Sequence, residues 1–367
     1  MFLKNGVVFK DGCFEEVDDV ILCTGYEFNL SFLDESCELN ATTRHVVPVY
    51  QHMVNIRKPS MMILGLATPS ITRILDAQAE YAVALIAGKF QLPSQADMMQ
   101  SWLKHVTALY AEGRKIDDAN LLFDDMNKTQ NYRVCVIGAG VAGLSSARYL
   151  KQEGISFTVL ECTQYVGGTW RYDPRVGYDE NGLLLHTSMY KHLSGELYCD
   201  YLNSFTKYFD LEKHIRFLHQ VVSITRLENT WNVKHKHVVT GEEFEEDYEY
   251  VIVGTGHHSK PHRPVIPGED LFEGTIIHSH DYRVPDPYAK RRVLTIGAGP
   301  SGKDISLFIA EVAIRLLHSH HSQSPTSTPF PDHYVNKPDV KEFRKNGVVL
   351  ATPWLSLRVP SPCLPKK

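Results

Sequence analysis

The chain has 367 residues, of which 43% are hydrophobic and 22% charged, a globular composition that excludes collagen, coiled coil and wholesale disorder. Its 38 basic and 43 acidic residues give a net charge of −5, which argues against nucleic acid as a partner. No apolar run reaches the ~20 residues of a membrane span, and the first residues lack the apolar core of a signal peptide. We therefore expect two or three domains, no transmembrane segment and a cytoplasmic location.

The seven cysteines are scattered, at positions 13, 23, 37, 135, 162, 199 and 363, and no two have CxxC spacing. This scatter argues against a zinc site or a redox-active pair within one segment. The odd number suits free thiols in a reducing compartment, and we expect no metal site.

A repeated pentapeptide marks both ends of the sequence. Lys4-Asn5-Gly6-Val7-Val8 recurs as Lys345-Asn346-Gly347-Val348-Val349. One interpretation is chance, because Asn-Gly is common in turns. The other is that two blocks of one parent sequence occur in swapped order, with residue 1 following on from about residue 349. The polar, aperiodic stretch 112–131 is predicted to be the linker between the blocks.

Two apolar strands that end in Thr-Gly are predicted in different parts of the chain. One is Asp19–Gly25, which contains Thr24, and the other is Tyr250–Gly256. Strand ends at the carboxyl edge of an open α/β sheet are where such folds bind ligands. The alternative is that both are ordinary buried strands.

The first glycine-rich motif follows a predicted strand over 132–137. A helix with apolar spacing comes next, and then a strand over 155–160 that ends in Glu161. In dinucleotide-binding folds the glycines allow the pyrophosphate to approach the helix N-terminus, and the acid meets ribose hydroxyls. The residues of this predicted turn are Gly138, Ala139, Gly140, Val141, Ala142 and Gly143.

Shortly after Glu161 comes Gly167-Gly168-Thr169-Trp170. The paired glycines would let the chain pass close to a ligand, and Trp170 offers an aromatic wall. A simple turn is the alternative.

The second glycine-rich motif is predicted between a strand over 292–296 and a helix over 301–310. The next strand, over 314–317, ends at a tract from His318 to His321 and has no acid there. These histidines, with Arg315, suit a 2′-phosphate and so indicate NADP rather than NAD. A metal site formed by the histidines is the alternative. The turn consists of Gly297, Ala298, Gly299, Pro300, Ser301 and Gly302.

Two such motifs predict an α/β chain with two Rossmann-like dinucleotide-binding domains in three layers. One cofactor would be held tightly while the other exchanges, as in a flavoprotein reduced by a nicotinamide cofactor.

The segment before the second motif carries a family resemblance. Phe272, Gly274, His278 and Tyr282 fit F-x-G-x-x-x-H-x-x-x-[FY]. With both glycine motifs, the Gly-Gly-Thr-Trp segment and Cys23–Tyr26, the chain resembles the flavin-containing monooxygenases of the dimethylaniline monooxygenase type. The tyrosine favours this family over Baeyer–Villiger monooxygenases, which carry tryptophan there. Residues 131–349 resemble the family's N-terminal part and residues 1–125 its C-terminal part.

The resemblance implies an FAD site and an NADPH site. Gly138, Gly140 and Gly143 would hold the FAD pyrophosphate, Glu161 the ribose, and Thr169 with Trp170 would lie along the cofactor. Thr24, Gly25 and Gly168 are further cofactor-binding candidates. His278 would support the link between the domains and is not expected to be a general base. The residues implied to hold NADPH are Gly297, Gly299, Pro300, Ser301 and Gly302.

The implied domain division follows the two blocks. Residues 1–111 and 132–260 would form the FAD domain, residues 261–349 a partial NADP domain, and 350–367 a Pro-rich tail. Gly65-Leu66 and the helical stretch 76–79 match the family's segment that closes over the flavin.

The implied activity is FAD- and NADPH-dependent oxygenation, through a flavin hydroperoxide, of a soft amine nitrogen or sulfur on a small molecule, with molecular oxygen. No catalytic side chain is identified. The family's Thr-Asn pair is missing near Leu193-Ser194, so we expect NADPH oxidation to release peroxide. The family also suggests a location peripheral to the endoplasmic reticulum. Alternatives are an inactive relative, a chain fused from two tandem gene copies, or a disulfide reductase, which needs a cysteine pair.

Overall fold

The computed structural model describes residues 6–42, 45–66, 71–111, 132–185, 193–256, 258, 260–320 and 331–344. The predicted linker 112–131, the second copy of the pentapeptide, His321 and the Pro-rich tail lie outside these residues. None of the helices described is both long and apolar enough to cross a membrane.

The described helices are α1 Ile71–Ile86, α2 Gln95–Ala111, α3 Val141–Gln152, α4 Leu193–Tyr208 and α5 Pro300–Ala310. The strands are β1 Gly6–Phe9, β2 Phe14–Glu16, β3 Asp19–Leu22, β4 Tyr26–Glu27, β5 Asn40–Ala41, β6 Val46–Val47, β7 Val49–Tyr50, β8 Val54–Asn55, β9 Met61–Ile63, β10 Arg133–Ile137, β11 Ser156–Glu161, β12 Ile215–Phe217, β13 His219–Arg226, β14 Trp231–His237, β15 Glu243–Tyr248, β16 Tyr250–Val253, β17 Lys260–Pro261, β18 Thr275–His278, β19 Arg292–Ile296, β20 Arg315–Ser319, β21 Tyr334–Lys337 and β22 Val340–Arg344.

The larger sheet has seven strands in the order β12-β11-β10-β16-β9-β8-β7. Its first five strands are parallel, and the pairing of β16 with β9 joins the two sequence blocks. The strand β10 is apolar along its buried length because both faces of the sheet are covered. Helices α1 and α3 cover one face, and the antiparallel sheet β13-β14-β15 covers the other. This unit is therefore a three-layer Rossmann-like fold.

The second sheet has five parallel strands in the order β18-β3-β19-β20-β21. On one face Ile305 and Ile309 of α5 pack among Val293 and Leu316. On the other face a small sheet, β2-β1-β22, packs Phe9 and Phe343 against the strands. The chain therefore contains the two Rossmann-like units that the sequence predicts.

The structure corrects the predicted division of residues 1–111. Strands β1, β2 and β3 belong to the second unit, whereas β7, β8 and β9 belong to the first. The reason is that β3 is fully buried and has hydrogen-bonding partners on both sides, β18 and β19. The first block therefore supplies strands to both units.

Strand β1 contains the last three residues of the first copy of the pentapeptide, and β22 ends directly before the second copy. They pair antiparallel, with Gly6 opposite Arg344. In this register a two-residue Lys-Asn connection would join them as a tight hairpin. The swapped-block interpretation stays a prediction.

Candidate dinucleotide sites

The first glycine-rich turn lies at the carboxyl end of β10. Gly138 has φ +95°, and a Cβ there would lie 2.8 Å from the Gly254 carbonyl oxygen. A Cβ on Gly143 would lie 1.8 Å from the Gly138 oxygen, so neither position accepts a side chain. Helix α3 begins directly after Gly140, and no described side chain caps it. Its first amides can therefore receive an anion, which fits a pyrophosphate.

Glu161 ends β11, beside this turn. Its Oε2 accepts a hydrogen bond from the Ala139 amide at 2.7 Å. Its Oε1 accepts from the Thr163 amide and hydroxyl at 2.9 and 2.8 Å. The acid thus lies at the strand end that the sequence predicts, and its buried carboxylate holds the turn in place.

The Gly-Gly-Thr-Trp segment packs directly on the first turn. The Gly167 amide donates to the Ala139 oxygen at 3.0 Å, and a Cβ on Gly168 would lie 3.3 Å from the Gly140 Cα. Residues Gly168–Trp170, which include Thr169, form one 3-10 turn. The Trp170 ring lies 4.3 Å from that of Tyr198 on α4. The paired glycines therefore serve a close approach between two backbone segments.

The first block contributes to the same edge through the end of β9. The Leu64 amide donates to the Val253 oxygen at 2.9 Å, next to Gly254. The Gly65 amide donates to the buried Gln78 side chain of α1 at 2.9 Å. The two predicted segments, around Gly65 and over 76–79, are thus joined beside the first turn.

The second glycine-rich turn repeats the geometry of the first. Gly297 has φ +114°, and a Cβ there would lie 2.3 Å from the Cys23 oxygen. A Cβ on Gly302 would lie 1.9 Å from the Gly297 oxygen. Helix α5 begins with Pro300 and Ser301 after Gly299, again with no described side-chain cap. A Cβ on Gly299 would meet no atom of the described residues within 4 Å, which leaves room there for a ligand.

The two Thr-Gly strand ends take equivalent places beside the two turns. The Cys23 amide donates to the Ile296 oxygen at 2.7 Å, and the Gly254 amide donates to the Ile137 oxygen at 2.8 Å. Thr24, whose hydroxyl donates to the His262 oxygen at 2.5 Å, and Gly25 therefore lie at the second turn. Gly254, whose oxygen packs against Gly138, is absent from the predicted site residues. The recurrence of the Thr-Gly strand end is the signal in the sequence that marks it.

His278 is fixed by two backbone groups. Its Nε2 donates to the Gly25 oxygen at 3.0 Å, and its Nδ1 accepts from the His280 amide at 3.1 Å. Burial lowers the pKa of His278 to about 4, so the ring is neutral at pH 7. With both nitrogens engaged, His278 has a structural geometry and no position from which to move a proton.

The other three motif residues also make packing contacts, and Phe272 and Tyr282 are buried while Gly274 is partly buried. The Phe272 ring lies 5.3 Å from Phe343, and the Tyr282 ring 6.0 Å from Tyr288. A Cβ on Gly274 would lie 2.3 Å from the Asp18 oxygen. Through Gly274 the motif packs closely on Asp18 of the other sequence block, directly before β3, the strand with which β18 pairs.

The prediction that His318 and Arg315 contact a 2′-phosphate is wrong. The His318 ring is buried, with Nε2 donating to the Gly297 oxygen at 2.8 Å and Nδ1 lying 2.9 Å from the Tyr334 hydroxyl. Burial lowers the pKa of His318, so it supports the turn as a neutral ring. Arg315 begins β20 at the opposite edge of the sheet and pairs with Glu15 at 2.9 Å. Only His320 of the described tract is partly exposed at this edge.

No group of three or more metal-ligating side chains occurs among the residues that the structure describes. Two surface grooves of about 580 and 510 Å³ share Pro59 and Ser60 and lie at the amino-terminal edge of the larger sheet. They are therefore remote from the first turn, which lies at the carboxyl edge of that sheet.

The fold and the two turns define a class of protein with two Rossmann-like nucleotide-binding units. The sequence profile described as "Flavin-binding monooxygenase-like" matches residues 1–123 and 185–326. A profile described as "NAD(P)-binding Rossmann-like domain" matches residues 136–198. The chain belongs to the flavin-binding monooxygenase-like family.

Individual relatives agree with this assignment. Senecionine N-oxygenase from Tyria jacobaeae is 36% identical over 245 residues, which are 59% of this chain and 54% of that protein. The structure of S-allyl-L-cysteine S-oxygenase from Allium sativum has a TM-score of 0.51 and 28% identity, and the match covers 57% of this chain and 56% of that one. Tmm from Pelagibacter sp. shares the fold, with a TM-score of 0.53, 23% identity and coverage of 57% and 56%. The chain spans about half the length of the curated relatives it matches.

Proposed function

We propose that the chain binds FAD and NADPH and oxygenates soft nitrogen or sulfur atoms of small molecules. The observation that carries the proposal is the pair of equivalent glycine turns, each at the carboxyl edge of a parallel sheet and each beside a helix N-terminus that no described side chain caps. Two such sites suit one tightly bound cofactor and one that exchanges.

FAD fits the first turn. Gly138, Gly140 and the first amides of α3 would hold the pyrophosphate, and the Glu161 carboxylate lies beside them for the ribose hydroxyls. Thr169 and Trp170 would lie along the cofactor, because their 3-10 turn packs over Gly140. The FAD domain would be built from both sequence blocks.

NADP(H) fits the second turn. Gly299 and the first residues of α5 form an open anion site there, and Thr24 with Gly25 borders it. The second unit would therefore be the NADP domain, completed by strands β1, β2 and β3.

Bound FAD would supply the oxygen-activating chemistry, with electrons from NADPH. The side chains described at the two sites would bind and orient the cofactors. Both ring nitrogens of His278 are already hydrogen-bonded to backbone groups. We therefore assign no general acid or base. The names of two relatives, senecionine N-oxygenase and S-allyl-L-cysteine S-oxygenase, support amines and thioethers as the substrate class.

The test is to purify the chain and record its absorbance spectrum for flavin. NADPH consumption is then compared with oxygenated product and with hydrogen peroxide, using a tertiary amine and a thioether. We expect bound FAD and peroxide in excess of product, because a shortened segment before α4 would admit water. If each NADPH consumed yields one oxygenated product, the expected release of hydrogen peroxide is contradicted. Absence of FAD would contradict the proposed function and favour an inactive chain.

A further inference from the structure

The buried side chain of Arg283 joins the two nucleotide units. It is 7% exposed, and it follows the family motif by one position. Sequence reasoning missed it because its partners lie far away in the chain.

All three guanidinium nitrogens of Arg283 donate to backbone carbonyl oxygens. Nε donates to Asp173 at 2.7 Å and to Arg175 at 3.1 Å, and Nη2 donates to Arg175 at 2.8 Å. Nη1 donates to His280 at 2.6 Å and to Tyr282 at 3.0 Å. The guanidinium thus bridges two backbone segments that are 110 residues apart in sequence.

Each bridged segment leads to one of the glycine turns. Asp173 and Arg175 follow the Gly168–Trp170 turn, which packs on Gly140 at the first site. On the other side, the segment His280–Tyr282 follows His278, which donates to the Gly25 oxygen, and Gly25 comes two residues after Cys23, whose backbone packs on Gly297 at the second site. A continuous series of contacts therefore runs from one turn to the other through Arg283.

We propose that Arg283 is a positioning residue that fixes the Gly168–Trp170 turn of the first unit relative to the second unit. The proposal rests on the proposed function, since its consequence is the distance between two bound cofactors. Reaction between bound groups is sensitive to misplacement by about 1 Å. Loss of the bridge therefore slows transfer from NADPH to FAD more than it weakens binding of either cofactor.

The planar fork of arginine is what makes the bridge possible. Its nitrogens point in different directions within one plane and so reach both segments at once. A lysine would keep the charge but present its three N–H groups from one point, so it would hold one segment only. Arg283→Lys therefore separates the effect of geometry from the effect of charge.

The experiment compares Arg283→Ala, Arg283→Lys and the control Arg263→Ala. Arg263 is 51% exposed and forms an ion pair with Glu269 at 3.1 Å. The first readout is anaerobic reduction of bound FAD by NADPH and, separately, by dithionite, which needs no second site. We expect Arg283→Ala to lower the NADPH rate at least about tenfold and to leave the dithionite rate within about twofold, with Arg283→Lys intermediate. A proportional fall in both rates, or a wild-type rate in Arg283→Lys, would overturn the proposal.

The second readout needs no cofactor. Trypsin cleaves after Arg171, which precedes the tethered carbonyls, and after Arg175, whose own carbonyl is tethered, once this segment opens locally. We expect Arg283→Ala to be cleaved there at least about tenfold faster than Arg263→Ala, because buried hydrogen bonds to a charged group hold the segment. Equal cleavage rates would refute the tether itself. If the wild-type chain holds no FAD, the proposed function fails while this result still decides the role of Arg283.

Discussion

The middle glycine of each turn, Gly140 or Gly299, provides a sharp test. A Cβ fits at these two positions, whereas it would clash at the first and third glycines of each turn. Among the described atoms, a Cβ on Gly140 would meet only the Gly168 Cα, at 3.8 Å, which is ordinary contact. Its φ of −78° and ψ of −170° suit alanine. An N-cap glycine is better than alanine by about 0.5–1 kcal/mol, and the more restricted unfolded chain of an alanine variant offsets about 0.4–1 kcal/mol. Gly140→Ala is therefore expected to change Tm by less than about 4 °C.

Cofactor affinity changes much more than stability in the same variant. The methyl group would occupy the N-terminus of α3, where the pyrophosphate must approach the backbone. Losing one hydrogen bond to a charged phosphate costs about 1.5–3 kcal/mol, which is about a 10- to 100-fold weaker FAD affinity. Gly299→Ala makes the same change at the second turn and is expected to weaken NADP+ binding instead.

The assay is calorimetric titration of each variant with FAD and with NADP+, together with a thermal melt. Gly143→Ala is the matched control, since its Cβ would lie 1.8 Å from the Gly138 oxygen. It is expected to destabilise the chain by about 3 kcal/mol or more. The reasoning is refuted if Gly140→Ala binds FAD like the wild type, or if it melts as early as Gly143→Ala.

Two further predictions concern pH and connectivity. Because burial lowers the pKa of His278 to about 4, the stability that its neutral ring contributes is present above about pH 6.5 and falls as the pH drops toward 4. The measurement is urea unfolding at pH 7.5 and 4.5, with His278→Gln as the control because glutamine keeps a donor for the Gly25 oxygen. Between the two pH values the wild type is expected to lose about 2–3 kcal/mol more free energy of unfolding than His278→Gln. Equal losses in the two proteins would contradict this prediction. A reordered chain, in which residues 132–344 continue through Lys-Asn into residues 6–111, is expected to fold with an equal or higher Tm and the same flavin content, since Gly6 already faces Arg344. Circular dichroism and gel filtration check both chains. If the reordered chain aggregates while the chain in its present order folds, the result would count against the swapped-block interpretation.

The turns and their strands could be predicted because their signals are local. Gly138 and Gly143 interact within one βα unit, and the apolar strands that flank them are contiguous in sequence. The helix predicted over 301–310 agrees with α5 to within a residue for the same reason.

Partners that are distant in sequence could not be found in this way. Arg315 and His318 lie only three residues apart, yet they occupy opposite ends of β20, because a strand rises about 3.3 Å per residue. The ligand side is the carboxyl edge of a parallel sheet, so Arg315 at the start of β20 lies at the other edge, where it pairs with the sequence-distant Glu15. Arg283 has partners 110 residues away, and no spacing pattern marks it.

The place of β3 in the second sheet has a consequence for synthesis on the ribosome. The residue before it, Asp18, accepts a hydrogen bond from the Arg292 amide, 274 residues later in the chain. At about 5–20 residues per second, the apolar strand waits roughly 15–55 s for its partners to emerge. During that time Val20, Ile21 and Leu22, all buried in the finished fold, have no β18 or β19 to pair with. Nascent chains are therefore expected to need chaperone protection until both sheets close together, late in translation.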